Sequence, residues 1–216
     1  MSDILDDPSW ASDGVYFLPW IGDQYAQGFQ GRRFLILGES HYDTWDDGDG
    51  LGARKHELSQ TFTRECIREV IGRTSGAQFF RYVEQILVDE NRQGGWAPSG
   101  GSRLWHCVAF YNFVQSAIEG TAKTPPSREQ FRGSFGPFLA VMERLRPERV
   151  LVCGKRLWNA MGPTSDQLTQ DLQAYRLSCG MKVWCRAIKH PSKFCRWRQL
   201  HGEVLNFLRD THRDKA

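Results

Sequence analysis

Four short stretches of this 216-residue chain carry side chains able to move protons or present hydrogen bonds. Gly38-Glu39-Ser40-His41-Tyr42-Asp43 gathers two carboxylates, an imidazole and two hydroxyls. Asn112-Phe113-Val114 offers an amide, Gly154-Lys155-Arg156 two cations, and His190-Pro191-Ser192 a second imidazole. Carboxylates and imidazoles are the usual general acids and bases near neutral pH. An amide presents a donor and an acceptor side by side. Cations just after a glycine, at the start of a helix, suit a phosphate. Each group also has a plainer reading: Glu39 tying down its own loop, Asn112 or His190 fixing a turn.

What lends these stretches weight is that each follows an apolar run. The runs are Arg33-Phe34-Leu35-Ile36-Leu37-Gly38, Leu104 to Tyr111, Arg149-Val150-Leu151-Val152-Cys153-Gly154 and Val183 to Ile188. They lack alternation and are separated by helical stretches, which argues buried strands of a parallel sheet covered on both faces. Helices are expected over Phe62–Ile71, Phe79–Val88, Ser127–Leu145, Leu157–Met161 and Trp197–Leu208. The third opens on the capping-box spacing Ser127-Arg128-Glu129-Gln130 and closes at Pro147. Thr44–Gly52, acidic and glycine-rich, and Gln93–Ser102 read as loops. Ligands of open α/β sheets gather at the carboxyl ends of the strands, where the four stretches lie.

The order strand-Gly-Glu-x-x, Phe-Tyr-Asn-x-Val, Val-Leu-x-x-Gly and His-Pro-Ser resembles the uracil-DNA glycosylase superfamily over about residues 30–210. Within it the chain resembles a bacterial branch with a Gly-Glu-Ser-His-Tyr motif. The resemblance implies a three-layer α/β/α sandwich with a central four-stranded parallel sheet. It also implies one domain spanning 1–216, with residues 1–30 as an extension packed on it, and hydrolysis of the N-glycosidic bond of an altered base flipped from DNA. His190 would then donate to a base carbonyl as negative charge develops on the leaving base. Glu39 would hold water and balance the cationic sugar, with Asp43 as second candidate. Asn112 would read the base edge and Phe62 stack on the base. Ser40 stands where uracil enzymes place their water-activating aspartate. Tyr42 stands where they restrict the pocket beside the pyrimidine C5 position, and His41 replaces a proline as a supporting or substrate-contacting residue. The departure at Ser40 leaves uracil and a modified base, including a hypermodified phage cytosine, equally open, and with them repair and anti-phage defence.

Ser192 and the segment Lys193-Phe194-Cys195-Arg196-Trp197-Arg198 occupy the place of the loop that wedges into duplex DNA. Basic residues interleaved with aromatics suit that task, and Lys155 and Arg156 would add phosphate contacts. Charge is distributed accordingly: residues 1–50 carry net −8 and residues 182–216 net +6, within an overall +3. A positive face of this kind attracts phosphates.

Composition limits the alternatives. No run of 18 apolar residues exists, and the acidic start lacks a signal-peptide pattern, so a cytoplasmic location is expected; a monomer is expected as well. Six cysteines at 66, 107, 153, 179, 185 and 195 form no CxxC pair. Cys107 and Cys153 read as reduced core residues. The iron–sulfur branch of the resembled superfamily carries an N-terminal cysteine set, and this chain has no cysteine before Cys66, so the resemblance implies no cluster; no cofactor is expected. Asp43, Asp46, Asp47 and Asp49 crowd one loop but match no EF-hand spacing, so no metal is assigned. Two other readings stand beside the glycosylase: a catalytically inactive nucleic-acid or nucleotide binding module on the same fold, and a metal-dependent hydrolase using the acidic loop.

Overall fold

A computed structural model describes residues 7–46, 51–72, 78–88, 100–121, 123–162, 164, 166–192 and 196–210. Three apolar runs form fully buried strands: β2 (Phe34–Gly38), β5 (Val108–Asn112) and β6 (Arg149–Cys153). Together with β9 (Lys182–Ile188) they run parallel in the order β5-β2-β6-β9. The sheet is larger than the expected four strands and mixed in direction. β1 (Trp20–Ile21) adds antiparallel to β5, while β8 (Leu172–Arg176) and then β7 (Asp166–Thr169) add antiparallel beyond β9. The result is a seven-stranded sheet. The acidic stretch read as a loop contains β3 (Thr44–Asp46), which pairs with β4 (Ala53–Lys55) in a separate hairpin.

Alternate residues of the strands feed two cores, as the pleat requires. Leu35, Leu37, Ala109, Tyr111, Val150 and Val152 face one side. There they meet α1 (Ser9–Ser12), α5 (Arg128–Gly133), α6 (Phe135–Leu145) and α7 (Lys155–Ala160) through Trp10, Phe131, Phe138, Met142, Leu157 and Trp158. Phe34, Ile36, Val108, Phe110 and Leu151 face the other. That side is covered by α2 (Phe62–Gly72), α3 (Gln78–Val88), α4 (Gly100–Cys107) and α8 (Trp197–Arg209). No helix among the described residues is long and apolar enough to cross a membrane.

The capping box forms: Ser127 Oγ accepts the Gln130 N–H while the Gln130 side chain accepts the Ser127 N–H. The single helix expected after it breaks into α5 and α6 at Ser134, whose hydroxyl donates to the Gln130 carbonyl and accepts the Gln115 N–H. Leu104–Cys107, expected to begin the second strand, is helical instead. The buried Trp105 indole there donates to Glu84 Oε1 at 2.9 Å, a contact that the α4 conformation provides. Cys107 consequently lies partly exposed at a helix end, whereas Cys153 is buried in β6.

The segment before residue 30 is part of the fold. Trp10 is buried beneath Arg144, which pairs with Asp7 and Asp13. Phe17 is fully buried, and Trp20 and Ile21 extend the sheet. At the other end, buried Arg149 donates to the carbonyls of Phe207 and Asp210 and so ties β6 to the end of α8.

The chain leaves β2, adds β5 on one side, then returns to place β6 on the other. This reversal opens a crevice beyond the carboxyl ends of β2 and β6, the usual position of a site in an open α/β sheet.

Candidate functional site

A cavity of about 590 Å³ occupies that crevice. Gly38 to Tyr42 enter it from the end of β2, Asn112 from β5, Gly154 to Arg156 from β6 and the start of α7, and His190 from the end of β9. Phe62 and Cys66 of α2, Phe79 and Phe80 of α3, Phe110 of β5, and Thr44 and Trp45 of the β3–β4 hairpin complete it. The walls are thus largely aromatic, with a few polar groups among them, as small-molecule pockets commonly are.

Glu39 and Arg156 form the charged edge. Arg156 Nε donates to Glu39 Oε2 at 2.8 Å and its Nη2 to Oε1, a two-pronged pair that fixes the plane of the carboxylate. Glu39 is mostly shielded and Arg156 half exposed, with side-chain exposures of 12% and 49%. The hydrogen bond to Glu39 pushes the Arg156 guanidinium further up, and Tyr42 adds to this. His190 stands at the exposed rim, its ring 5.4 Å from that of Phe79. The surrounding protein lowers its pKa, opposed by Glu39 and assisted by Arg156, which favours the neutral ring. Gly154 makes the strand-to-helix turn at φ 134°, a conformation suited to glycine, and passes close to His190.

Behind this edge lies a buried polar relay. His41 is buried, and desolvation pushes its pKa down to about 3, so the ring is neutral. His41 Nε2 lies 2.8 Å from Thr63 Oγ1, and Asn112 Nδ2 lies 3.2 Å from Nδ1 and 3.1 Å from Nε2; with Nε2–H donating to Thr63, Nδ1 is the nitrogen that accepts from the amide. Phe17 and Phe62 pack edge-on against the same ring at 4.8 and 5.0 Å. The Asn112 amide is thereby held in one orientation, its oxygen against the backbone of β2. A Cβ at Gly38 would sit 2.1 Å from that oxygen, so the close approach requires glycine. Ser40 Oγ is buried and has no hydrogen-bond partner among the described residues. A buried hydroxyl without a partner is costly unless something else fills the position.

Trp45 builds the outer wall, stacked on His56 at 3.6 Å and on Phe62 at 5.7 Å. The sequence gives little sign of this, because Trp45 lies in the stretch that reads as an acidic loop. Phe79, Phe80 and Phe110 look like core residues by their spacing, and they pack into the core while also facing the cavity.

Of the residues assigned from the sequence, Glu39, Ser40, His41, Tyr42, Phe62, Asn112, Lys155, Arg156 and His190 converge on the cavity. Asp43 is outside the lining. Its buried carboxylate accepts from the Gly120 N–H and the Thr44 hydroxyl, each at 2.9 Å, and pairs with Lys55 at 3.2 Å. The Gly120 hydrogen bond is the main cause holding its pKa below the ordinary range. Asp43 therefore fastens the loop after β2 to the 118–120 segment. Ser192 is half-buried beyond His190, and Arg196 and Arg198 are exposed, Arg198 lying over the Trp197 ring at 5.0 Å. Lys193 and Phe194 of the expected wedge lie outside the described residues, as do Asp47 and Asp49. Lys155 is exposed and 3.9 Å from Asp171.

Among the described residues no group of three or more His, Cys, Asp or Glu is placed to hold a metal ion. The arrangement instead combines an oriented carboxylate, a neutral imidazole and a fixed amide around an aromatic cleft. Compared with known proteins, the chain matches no family model and no curated protein.

Proposed function

We propose that the protein is a DNA glycosylase of the uracil-DNA glycosylase type, hydrolysing the N-glycosidic bond of an altered base flipped out of DNA. The observation that carries this reading is the convergence of Glu39, Asn112 and His190 from three different strand ends on one aromatic cavity. Lys155, Arg156, Arg196 and Arg198 supply cations for the phosphates of a DNA partner. The base enters between the aromatic walls, with Asn112 facing its edge and Phe62 or Trp45 its ring. A carboxylate has about four lone-pair positions, so Glu39 can accept from a water while Arg156 holds it. The water oxygen bonds to C1′ as the C1′–N bond breaks. Its proton passes to Glu39, and the electron pair leaves with the base. His190, as a neutral donor, supports the developing negative charge there.

The cleft of about 590 Å³ opens to solvent, so its size leaves uracil and a modified base equally open. A second reading, a module that binds without turnover, is favoured by Ser40 at the aspartate position and by the engagement of both Glu39 oxygens by Arg156.

Incubation, with EDTA present, against DNAs bearing uracil, hypoxanthine, 5-hydroxymethylcytosine or glucosylated cytosine, followed by alkali, tests both. The expected result is cleavage of one substrate, reduced about 10²–10⁴-fold in Glu39→Gln and in His190→Ala, with DNA affinity largely kept. Retention of full turnover in Glu39→Gln refutes the mechanism. Tight binding without abasic sites in any DNA supports the binding module.

A further inference from the structure

The Glu39–Arg156 pair does more than close the edge of the cavity. Both donors of the Arg156 fork are given to Glu39, although the guanidinium is half exposed and water is available to it. Arg156 sits on the first turn of α7, reached through the φ 134° turn at Gly154, and that same turn runs against His190. The carboxylate and the imidazole on which the proposed hydrolysis depends are thus bordered by one cation.

We infer that Arg156 is a positioning residue of this site: by clamping Glu39 in one plane it holds the carboxylate away from His190 and leaves the cavity side of that ring to the substrate. The inference rests on the glycosylase reading for its chemical consequence, but the charge arrangement it describes exists without any substrate. The His190 ring also has a hydrogen bond to the backbone of Pro191, which favours its protonated form alongside Glu39. Among the described residues, the charged and titratable groups that share the cavity with that ring are Glu39, His41 and Tyr42 after β2, Cys66 on α2, and Lys155 and Arg156 on α7, and the exposed Lys189 precedes it in the chain. α3 contributes the uncharged Phe79 ring.

Of these, Glu39 draws a proton toward His190 and Arg156 opposes it. Removing Arg156 takes away a repelling cation and also frees Glu39 to approach. Both changes push the ring toward its protonated form, which could no longer serve as a neutral donor.

The test is the NMR titration of His190 in the wild type, Arg156→Ala, Glu39→Gln and the double variant, without DNA. Arg156→Ala should move the midpoint up, Glu39→Gln should move it down, and the double variant should fall between. Arg156→Lys, which restores the charge without the fork, should return the midpoint toward the wild-type value. With a turned-over DNA, Arg156→Ala should lose about tenfold or more in kcat with little change in KM, because orientation rather than binding is lost. Recovery in Arg156→Lys should be only partial. A His190 midpoint that stays fixed or falls in Arg156→Ala overturns the inference, whatever the DNA assay shows. An upward shift in a protein that releases no base keeps Arg156 as the clamp of Glu39 and rejects the glycosylase reading alone.

Discussion

His41 makes the stability of this protein depend on pH in a window that can be worked out. Burial holds its folded pKa at about 3, against 6.5 for an ordinary histidine. The unfolded chain therefore takes up the proton first as the solution is acidified. The stabilisation is complete above the unfolded value, declines as pH falls from 6.5 toward 3, and is fully lost below that. At pH 5 the loss is about 2 kcal/mol, and at the bottom of the window about 5 kcal/mol, at about 1.36 kcal/mol per pH unit. Domains of this kind are stable by only about 5–15 kcal/mol, so the effect is measurable. Urea unfolding at pH 7.5 and pH 5 should be compared between wild type and His41→Gln. The glutamine amide keeps a donor toward Thr63 and an acceptor toward Asn112 but takes up no proton. Carboxylates such as Asp43 titrate in both proteins and cancel in the difference. The wild type should lose about 2 kcal/mol more than the variant between the two pH values. Equal losses would show that His41 titrates normally and would dismantle the relay from Thr63 through His41 to Asn112.

Under the proposed glycosylase reading, two further substitutions probe the cavity. In Gly38→Ala the new Cβ meets Asn112 Oδ1 at 2.1 Å, so the amide or the strand must shift. A loss of about 1–3 kcal/mol in stability is expected, together with weaker DNA binding by fluorescence anisotropy, and a variant with unchanged Tm and affinity would remove the close approach from the explanation. Trp45→Ala strips the outer wall from His56 and Phe62 and should cost about 1–3 kcal/mol in affinity for DNA carrying the recognised base, with little change in Tm because Trp45 is only half-buried. Equal affinity would place Trp45 outside the binding surface.

Much of the sheet is readable in the sequence because burial on both faces leaves an unbroken apolar run. Phe34–Leu37 and Val150–Cys153 have no polar position, and both lie in the sheet interior. Leu104–Cys107 shows where this logic ends. A short apolar run suits a buried helix as well as a strand, and there the contact between Trp105 and Glu84, 21 residues apart, accompanies the helix. The edge strands escape detection for a related reason. β1 has two residues, and β8 carries Gln173, a buried amide that donates to Tyr175 Oη, where an apolar residue would have revealed it. Trp45 is hidden because the three-residue strand that presents it is followed by acidic residues, so its surroundings look solvated.

The two carboxylates of the first motif show most clearly what spacing cannot decide. Glu39 and Asp43 lie four residues apart in one loop, and each is chemically fit to hold a water. Their roles separate through contacts with distant chain. Pairing of the loop with the segment around Ile118, through the Ile118 N–H to His41 carbonyl and Asp43 N–H to Ile118 carbonyl bonds, sets the course of the backbone after β2. On that course Asp43 meets the Gly120 N–H and Lys55 and its carboxylate is consumed in holding the loop. Glu39, before the pairing begins, is left at the cavity facing Arg156. Ser40, next to Glu39 in the chain, carries a buried hydroxyl with no partner among the described residues. Under the glycosylase reading this is also the position that would distinguish the site from uracil enzymes, which makes Ser40 a natural point for substrate discrimination.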